Sequence, residues 1–157
     1  MEKVAIFADV QNIYYTCKHR HQKHFNYTAF WRQATASRQV LAAYAYATER
    51  GDAKQRGFQK ILHDIGFQVK LKPYIQRSDG SSKGDWDVGI TLDVIDWAEQ
   101  VDRIILLSGD GDFQLLLDKI RQRNGVKADV YGVPGLTAPA LIQAADRFIA
   151  IEGELLL

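Results

Sequence analysis

The sequence predicts an α/β fold: a parallel sheet covered by helices on both sides. Its apolar segments are of two kinds, met in turn along the chain. Short continuous runs such as Val4–Ala8 and Ile104–Leu107 suit strands buried on both faces, and the longer segments between them carry apolar residues at helical spacing. Read in order, they give β-α-α-β-α-β-α-β-α-β-α-β, the alternation that argues a parallel sheet. The 157 residues suit one domain, 1–157, with a single sizeable core.

Val4–Ala8 ends in Asp9, and Val10-Gln-Asn12 leads into a helix from about Ile13. Asn12 lies three residues past Asp9, so one helical turn brings the two side chains together; the competing reading makes Asp9 a plain helix cap. Lys18–His24 is basic and rich in histidine, a solvated helix end whose spacing does not favour zinc. Tyr27–Ser37 is a helix with Thr28 as a possible cap and Phe30, Trp31 and Ala34 on its apolar side. Val40–Ala47 is the next strand, although alanine is poor strand material. Thr48–Asp52 turns the chain into a helix over Ala53–Ile65, which Gly66 stops. Phe67–Lys72 alternates apolar and polar residues, as a strand at or near a sheet edge does. Gln76–Lys83 is the most loop-like stretch and the best candidate for mobility.

The segment after it carries Asp85 and Asp87 in the first turn of a helix whose Val88, Leu92 and Ile95 recur at i, i+4 and i+7. Asp93, about 120° round that helix from Asp87, reads as structural or solvated. The organising stretch is Arg103–Ile120. An apolar run breaks at Ser108-Gly-Asp110-Gly-Asp112, and Phe113, Leu116, Leu117 and Ile120 then repeat at helical spacing from about Asp112. Val126–Tyr131 is a strand, Gly132–Gly135 a turn, Leu136–Ala145 a small-residue helix with Thr137 as a possible cap, and Phe148–Ile151 a last strand.

In an open α/β sheet, sites gather where the C-terminal ends of strands meet the following helices. Asp9 and Asp110 both follow strands, and Asp87 opens the helix before the Ile104 strand. If those strands are neighbours, the three acids enter one crevice, where their repulsion asks for a cation or for hydrogen-bond donors. An all-oxygen set suits Mg²⁺ or Mn²⁺, ions that clamp phosphate oxygens and activate water. The plain alternative has Asp112 capping the helix and Asp110 in an ordinary polar turn. Other totals bound the answer. A net charge of +1 excludes no partner class, and the lone Cys17 excludes an intramolecular disulfide and a cysteine zinc site. No apolar run approaches the roughly 20 residues of a membrane span and no signal segment opens the chain, so a cytoplasmic address is the default. Oligomeric state is open, a homodimer included.

Three blocks resemble the signatures of NYN domains, the LabA-like branch of the PIN-like nuclease superfamily: Phe7-Ala-Asp9-Val-Gln-Asn12, Lys83-Gly-Asp-Trp-Asp87-Val and Ser108-Gly-Asp110-Gly-Asp112-Phe. They come in the family's order and span nearly the whole chain. The resemblance implies a three-layer α/β/α sandwich on a mostly parallel sheet of five or six strands, and a metal-dependent ribonuclease site. By motif position, Asp9, Asp87, Asp110 and Asp112 match the acidic cluster and Asn12 its polar companion. The extra mid-chain acid of many PIN nucleases has only Glu49 as a candidate. The expected chemistry is attack of a metal-activated water on an RNA phosphodiester. Asn12, Ser108, Lys83 and Arg50 would contact substrate, and Tyr14 and Trp86 would stack on single-stranded bases. A catalytically inactive RNA-binding or regulatory module of the same fold is the alternative. A Toprim-like enzyme would want glutamate where Asp9 stands, and a haloacid-type phosphatase would want Asp-x-Asp where Asp9-Val-Gln stands.

Overall fold

The computed structural model describes residues 1–73, 75–76, 82–83 and 85–157, with the backbone alone at 73, 75, 76, 82 and 83. In chain order the elements are β1 (Glu2–Asp9), α1 (Val10–His21), α2 (Tyr27–Thr35), β2 (Arg38–Glu49), α3 (Ala53–Ile65) and β3 (Gln68–Pro73). There follow β4 (Ile75–Gln76), β5 (Ser82–Lys83), α4 (Asp87–Ala98), β6 (Arg103–Leu107), α5 (Gln114–Asn124), β7 (Lys127–Gly132), α6 (Pro139–Ala144) and β8 (Arg147–Ala150). Six strands form one sheet in the order β3-β2-β1-β6-β7-β8, with every neighbouring pair parallel. Leaving out the small antiparallel pair β4–β5, this is the doubly wound order in which the strand sequence reverses at the centre, here between β1 and β6.

The alternation of side chains along each strand divides the core in two. Val4, Ile6 and Ala8 of β1 face α1, α2 and α3, meeting Ile13, Cys17, Phe30 and Leu62. Ala5 and Phe7 face the other way, toward Ile90 and Val94 of α4, Leu117 and Ile120 of α5, and Leu141 of α6. The alanines of β2 belong to this plan. Ala43, Ala45 and Ala47 are buried beneath the first helical layer, so tertiary packing overrides alanine's weak strand preference. As expected, β3 is an edge strand.

Several expectations are corrected. The cap of α2 is Asn26, whose side chain accepts from the Ala29 N–H at 3.0 Å, and Thr28 is exposed inside the helix. The last helix shrinks to Pro139–Ala144, and Thr137 turns its buried hydroxyl back to the Val133 carbonyl instead of capping. Helix α4 rotates relative to the expected phase. It buries Ile90, Val94 and Ala98, while Val88 and Leu92 are 73% and 59% exposed. No helix among the described residues is long and apolar enough to cross a membrane. The expected mobility of Gln76–Lys83 falls largely outside the described residues.

Candidate metal centre

The crevice between β1 and β6 is assembled from three separate parts of the chain. Asp9 closes β1 and caps α1, its Oδ1 accepting the Asn12 N–H at 3.4 Å. The loop after β6 is then locked to it. The Ser108 hydroxyl, fully buried, donates to Asp9 Oδ2 at 3.2 Å and accepts the Asp110 N–H at 3.2 Å. Asn12 Oδ1 accepts the Gly109 N–H at 2.9 Å. A Cβ on Gly109 would lie 2.6 Å from the Leu136 carbonyl oxygen, and one on Gly111 would lie 2.8 Å from the Ala138 Cβ. The glycines of Ser-Gly-Asp-Gly-Asp are therefore required by the loop that packs behind them, which also donates the Ala138 N–H to Gly109 O at 3.0 Å.

Asp110 caps a short 3₁₀ turn, Gly111–Phe113, by accepting the Asp112 N–H at 2.9 Å. The plain alternative, with Asp112 as the cap and Asp110 in an ordinary turn, does not hold. Asp87 arrives from the other side as the first residue of α4. Its position is set by Trp86, whose indole N–H donates to the Ala47 carbonyl at 2.9 Å and whose ring lies where a Cβ at residue 89 would stand, so Gly89 is needed. Lys72 Nζ lies 4.6 Å from the centre of that ring and Tyr46 packs 5.3 Å from it. Trp86 is thus a fixed strut, and its expected role in stacking bases is not supported.

Carboxylate oxygens of Asp87, Asp110 and Asp112 all lie within 4.8 Å of one another. Oxygens on opposite sides of Mg²⁺ or Ca²⁺ are separated by about 4–5 Å, so the spacing fits a hard cation. Asp9 stands outside this trio but feels it. Burial pushes its carboxyl up to about 6, and the charges of Asp110 and Asp85 add to the rise against the opposing bonds from Asn12 and Ser108. Asp87 is pushed up to about 7, first by burial, then by its hydrogen bond to Asp110 and the charges of Asp110, Asp9 and Asp85. Acids that resist ionising beside one another are the electrostatic signature of a site short of positive charge.

The expected residues divide accordingly. Asp87, Asp110 and Asp112 converge, and Asp9 joins them through Ser108. Ser108 and Asn12 bond protein groups and hold the crevice together, a role the motif alone did not show. Asp93 is structural, as expected, accepting the Tyr46 hydroxyl and the Lys70 ammonium, each at 2.7 Å. Glu49 and Arg50 sit exposed at the end of β2, and Glu49 is not part of the trio. The Lys83 side chain lies outside the described residues. Asp85 is the acid the reading passed over: it precedes α4 rather than lying in its first turn, and its Oδ1 accepts the Asp87 N–H at 3.3 Å. Its place two residues before Asp87 was the available signal.

A three-layer sandwich on an all-parallel sheet, with carboxylates from β1, the loop after β6 and the helix before β6 at its central switch point, agrees with the PIN-like class that the motifs resemble. Residues 3–152 match the model of the NYN domain, and the chain belongs to that family, in its LabA-like branch. It is 29% identical to the low amplitude and bright protein LabA of Synechococcus elongatus, over 96% of this chain and 84% of that one. A crystal structure of VPA0982, a protein of unknown function from Vibrio parahaemolyticus, superposes with a TM-score of 0.95 at 57% identity, covering 99% of this chain and 96% of that one.

Proposed function

We propose that this domain hydrolyses RNA phosphodiester bonds with Mg²⁺ or Mn²⁺ held by its acidic cluster. The observation that carries the reading is the trio Asp87, Asp110 and Asp112 with Asp9 braced beside it, at the switch point where ligands bind in open α/β sheets. Family membership supports a nuclease in general, and the all-oxygen donor set supports a hard divalent ion.

Asp87, Asp110 and Asp112 would hold the ion, with Asp9 completing the set. When bound, it supplies Lewis-acid polarisation of a phosphate oxygen and a water of lowered pKa. The protein's own part is to keep four carboxylates together at neutral pH and to fix their directions. Ser108 orients Asp9 and the Asp110 backbone, Asn12 ties α1 to the β6 loop, and Asp85 and Trp86 fix Asp87. The Asn12 amide, Arg50 and Lys83 would contact phosphate, which sets register without reading sequence.

The test is incubation of labelled RNA with Mn²⁺, comparing the wild type with Asp110→Asn. Cleavage by the wild type, reduced more than about a hundredfold in the variant, supports the nuclease, since residues one shell out from a metal cost only 10–100-fold. Binding of RNA without cleavage by either protein overturns it and favours a regulatory RNA-binding module.

A further inference from the structure

Of the acidic residues in the chain, none lies between Asp9 and Glu49, whereas Lys18, Arg20, Lys23, Arg32 and Arg38 all do. Helices α1 and α2 and the turn between them therefore carry Lys18, Arg20, Lys23 and Arg32 with no acid among them, while Arg38 on β2 is paired with Glu2 and Asp129. On the opposite layer α4 carries Asp93 and Asp96 with no basic residue, whereas α5 carries Lys119, Arg121 and Arg123 beside Asp118. A polyanion approaching the crevice between β1 and β6 is drawn to the side of α1 and repelled from the side of α4.

Helix α1 begins at the crevice and leads away from it. Asn12, Tyr15 and His19 fall at i, i+3 and i+7, and Gln11, Tyr15 and Lys18 at i, i+4 and i+7, so two outward stripes cross at Tyr15. From Asn12 to His19 the helix rises about 10 Å. Tyr14 and Tyr15 are 42% and 51% exposed, large apolar rings that the core does not use. They are pre-ordered. Tyr14 meets Tyr15 edge-on at 5.4 Å and stacks on His24 at 5.9 Å, and Lys18 Nζ lies 5.6 Å from the Tyr14 ring centre. Among the described residues, Lys18, Arg20 and Lys23 make no ion pair with any carboxylate.

Charges that track a phosphate backbone beside rings that take a base face are the two components of a single-strand binding surface. Paired bases in an A-form duplex have their faces covered, so rings like these reach only unpaired nucleotides. We propose that the exposed face of α1, centred on Tyr15 and Lys18, is the track that the single strand follows into the crevice. The proposal rests on the nuclease reading for the direction of the strand, and on α1 alone for the binding.

Fluorescence anisotropy with a short labelled single-stranded RNA in EDTA measures the track without cleavage. Tyr15→Ala is expected to raise Kd about fivefold or more, the loss of one stacked base. Lys18→Ala is expected to lower the slope of log K against log salt by about 0.7, one phosphate contact on a single strand. Lys119→Ala, on α5 of the opposite layer, is expected to leave both unchanged. Wild-type binding by Tyr15→Ala and Lys18→Ala overturns the proposal, as does a duplex of the same sequence bound as tightly as the single strand. The two readings fail separately. Unaltered binding by Tyr15→Ala with intact Mn²⁺-dependent cleavage removes the track and leaves the nuclease, whereas weakened binding with no cleavage by the wild type removes the nuclease and leaves the track.

Discussion

Replacing Asp9 with asparagine should stabilise the metal-free protein at alkaline pH and destabilise its metal complex. Asp9 is held at about 6 by burial and by neighbouring acids, above the ordinary value of 3.8. At roughly 1.4 kcal/mol per pKa unit, ionised Asp9 costs the native state about 3 kcal/mol. The sign follows from proton linkage. Between about pH 4 and pH 6 the native state binds this proton more tightly than the unfolded chain, so stability falls as the pH rises through that window and stays lower above it. Asparagine removes the charge, keeps an oxygen to accept the Asn12 N–H and offers an amide to the Ser108 oxygen. Allowing for imperfect bonds, a net gain of about 1–2 kcal/mol remains at pH 8. In a chain of this length that raises Tm by about 3–6 °C. Thermal melts in EDTA should show the gain at pH 8 and none at pH 4, where the wild-type carboxyl is already neutral. Mn²⁺ at a hundred times its Kd should add about 2.7 kcal/mol to the wild type and far less to the variant, reversing their order. An Asp9→Asn protein that melts below the wild type in EDTA by the same amount at pH 8 and pH 4 would refute the reasoning.

Gly109→Ala should cost about 1–3 kcal/mol, because its Cβ would meet the Leu136 carbonyl oxygen at 2.6 Å, backbone that has little room to yield. A lowered denaturant midpoint together with reduced Mn²⁺ affinity would show that the strain reaches Asp110. At the opposite end of the sheet, Asp129 is 1% exposed and faces Arg103 at 2.6 Å, with Arg38 and Arg147 each 3.8 Å away. Asp129→Asn leaves buried guanidinium charge underpaired and should cost about 3 kcal/mol or more, lowering the urea midpoint while Mn²⁺ affinity stays unchanged.

Most of the fold was legible because its strands are short, apolar and bounded by turn residues, a pattern few other architectures share. The site was legible for a related reason. Asp9 and Asp110 were assigned to strand ends, and a parallel sheet gathers strand ends on one rim however far apart they lie in sequence. The misreadings have physical causes too. Helix α4 is apolar on two sides, so periodicity offered Val88, Leu92 and Ile95 where the structure buries Ile90, Val94 and Ala98. The phase is set by Trp86, which hydrogen-bonds Ala47 across the sheet, a contact that no local pattern encodes. Ser108 and Asn12 were expected to contact substrate, and a second role of both was not legible in the motif. Only the fold shows that their side chains bond each other's loops. The plain alternative that gave the cap to Asp112 fails because the turn tightens earlier, at Gly111, and the cap falls to Asp110.

The two electrostatic features of the molecule answer each other. The cluster of Asp87, Asp110 and Asp112 with buried Asp9 beside it repels phosphate where its acids are ionised, and burial strengthens that repulsion by excluding the water that would screen it. Residues held in such a cluster weaken the fold, as the raised Asp9 and Asp87 values indicate, so their grouping is not explained by stability. A divalent ion held there would reverse the local sign, and the acid-free segment of α1 and α2 would supply attraction at longer range. On the proposed reading each feature alone would serve poorly: acids without a cation would turn RNA away, and a basic helix without the acids would bind but have no means to cut. Their meeting at Asn12, which opens α1 and holds the loop that carries Asp110, joins the two into one surface.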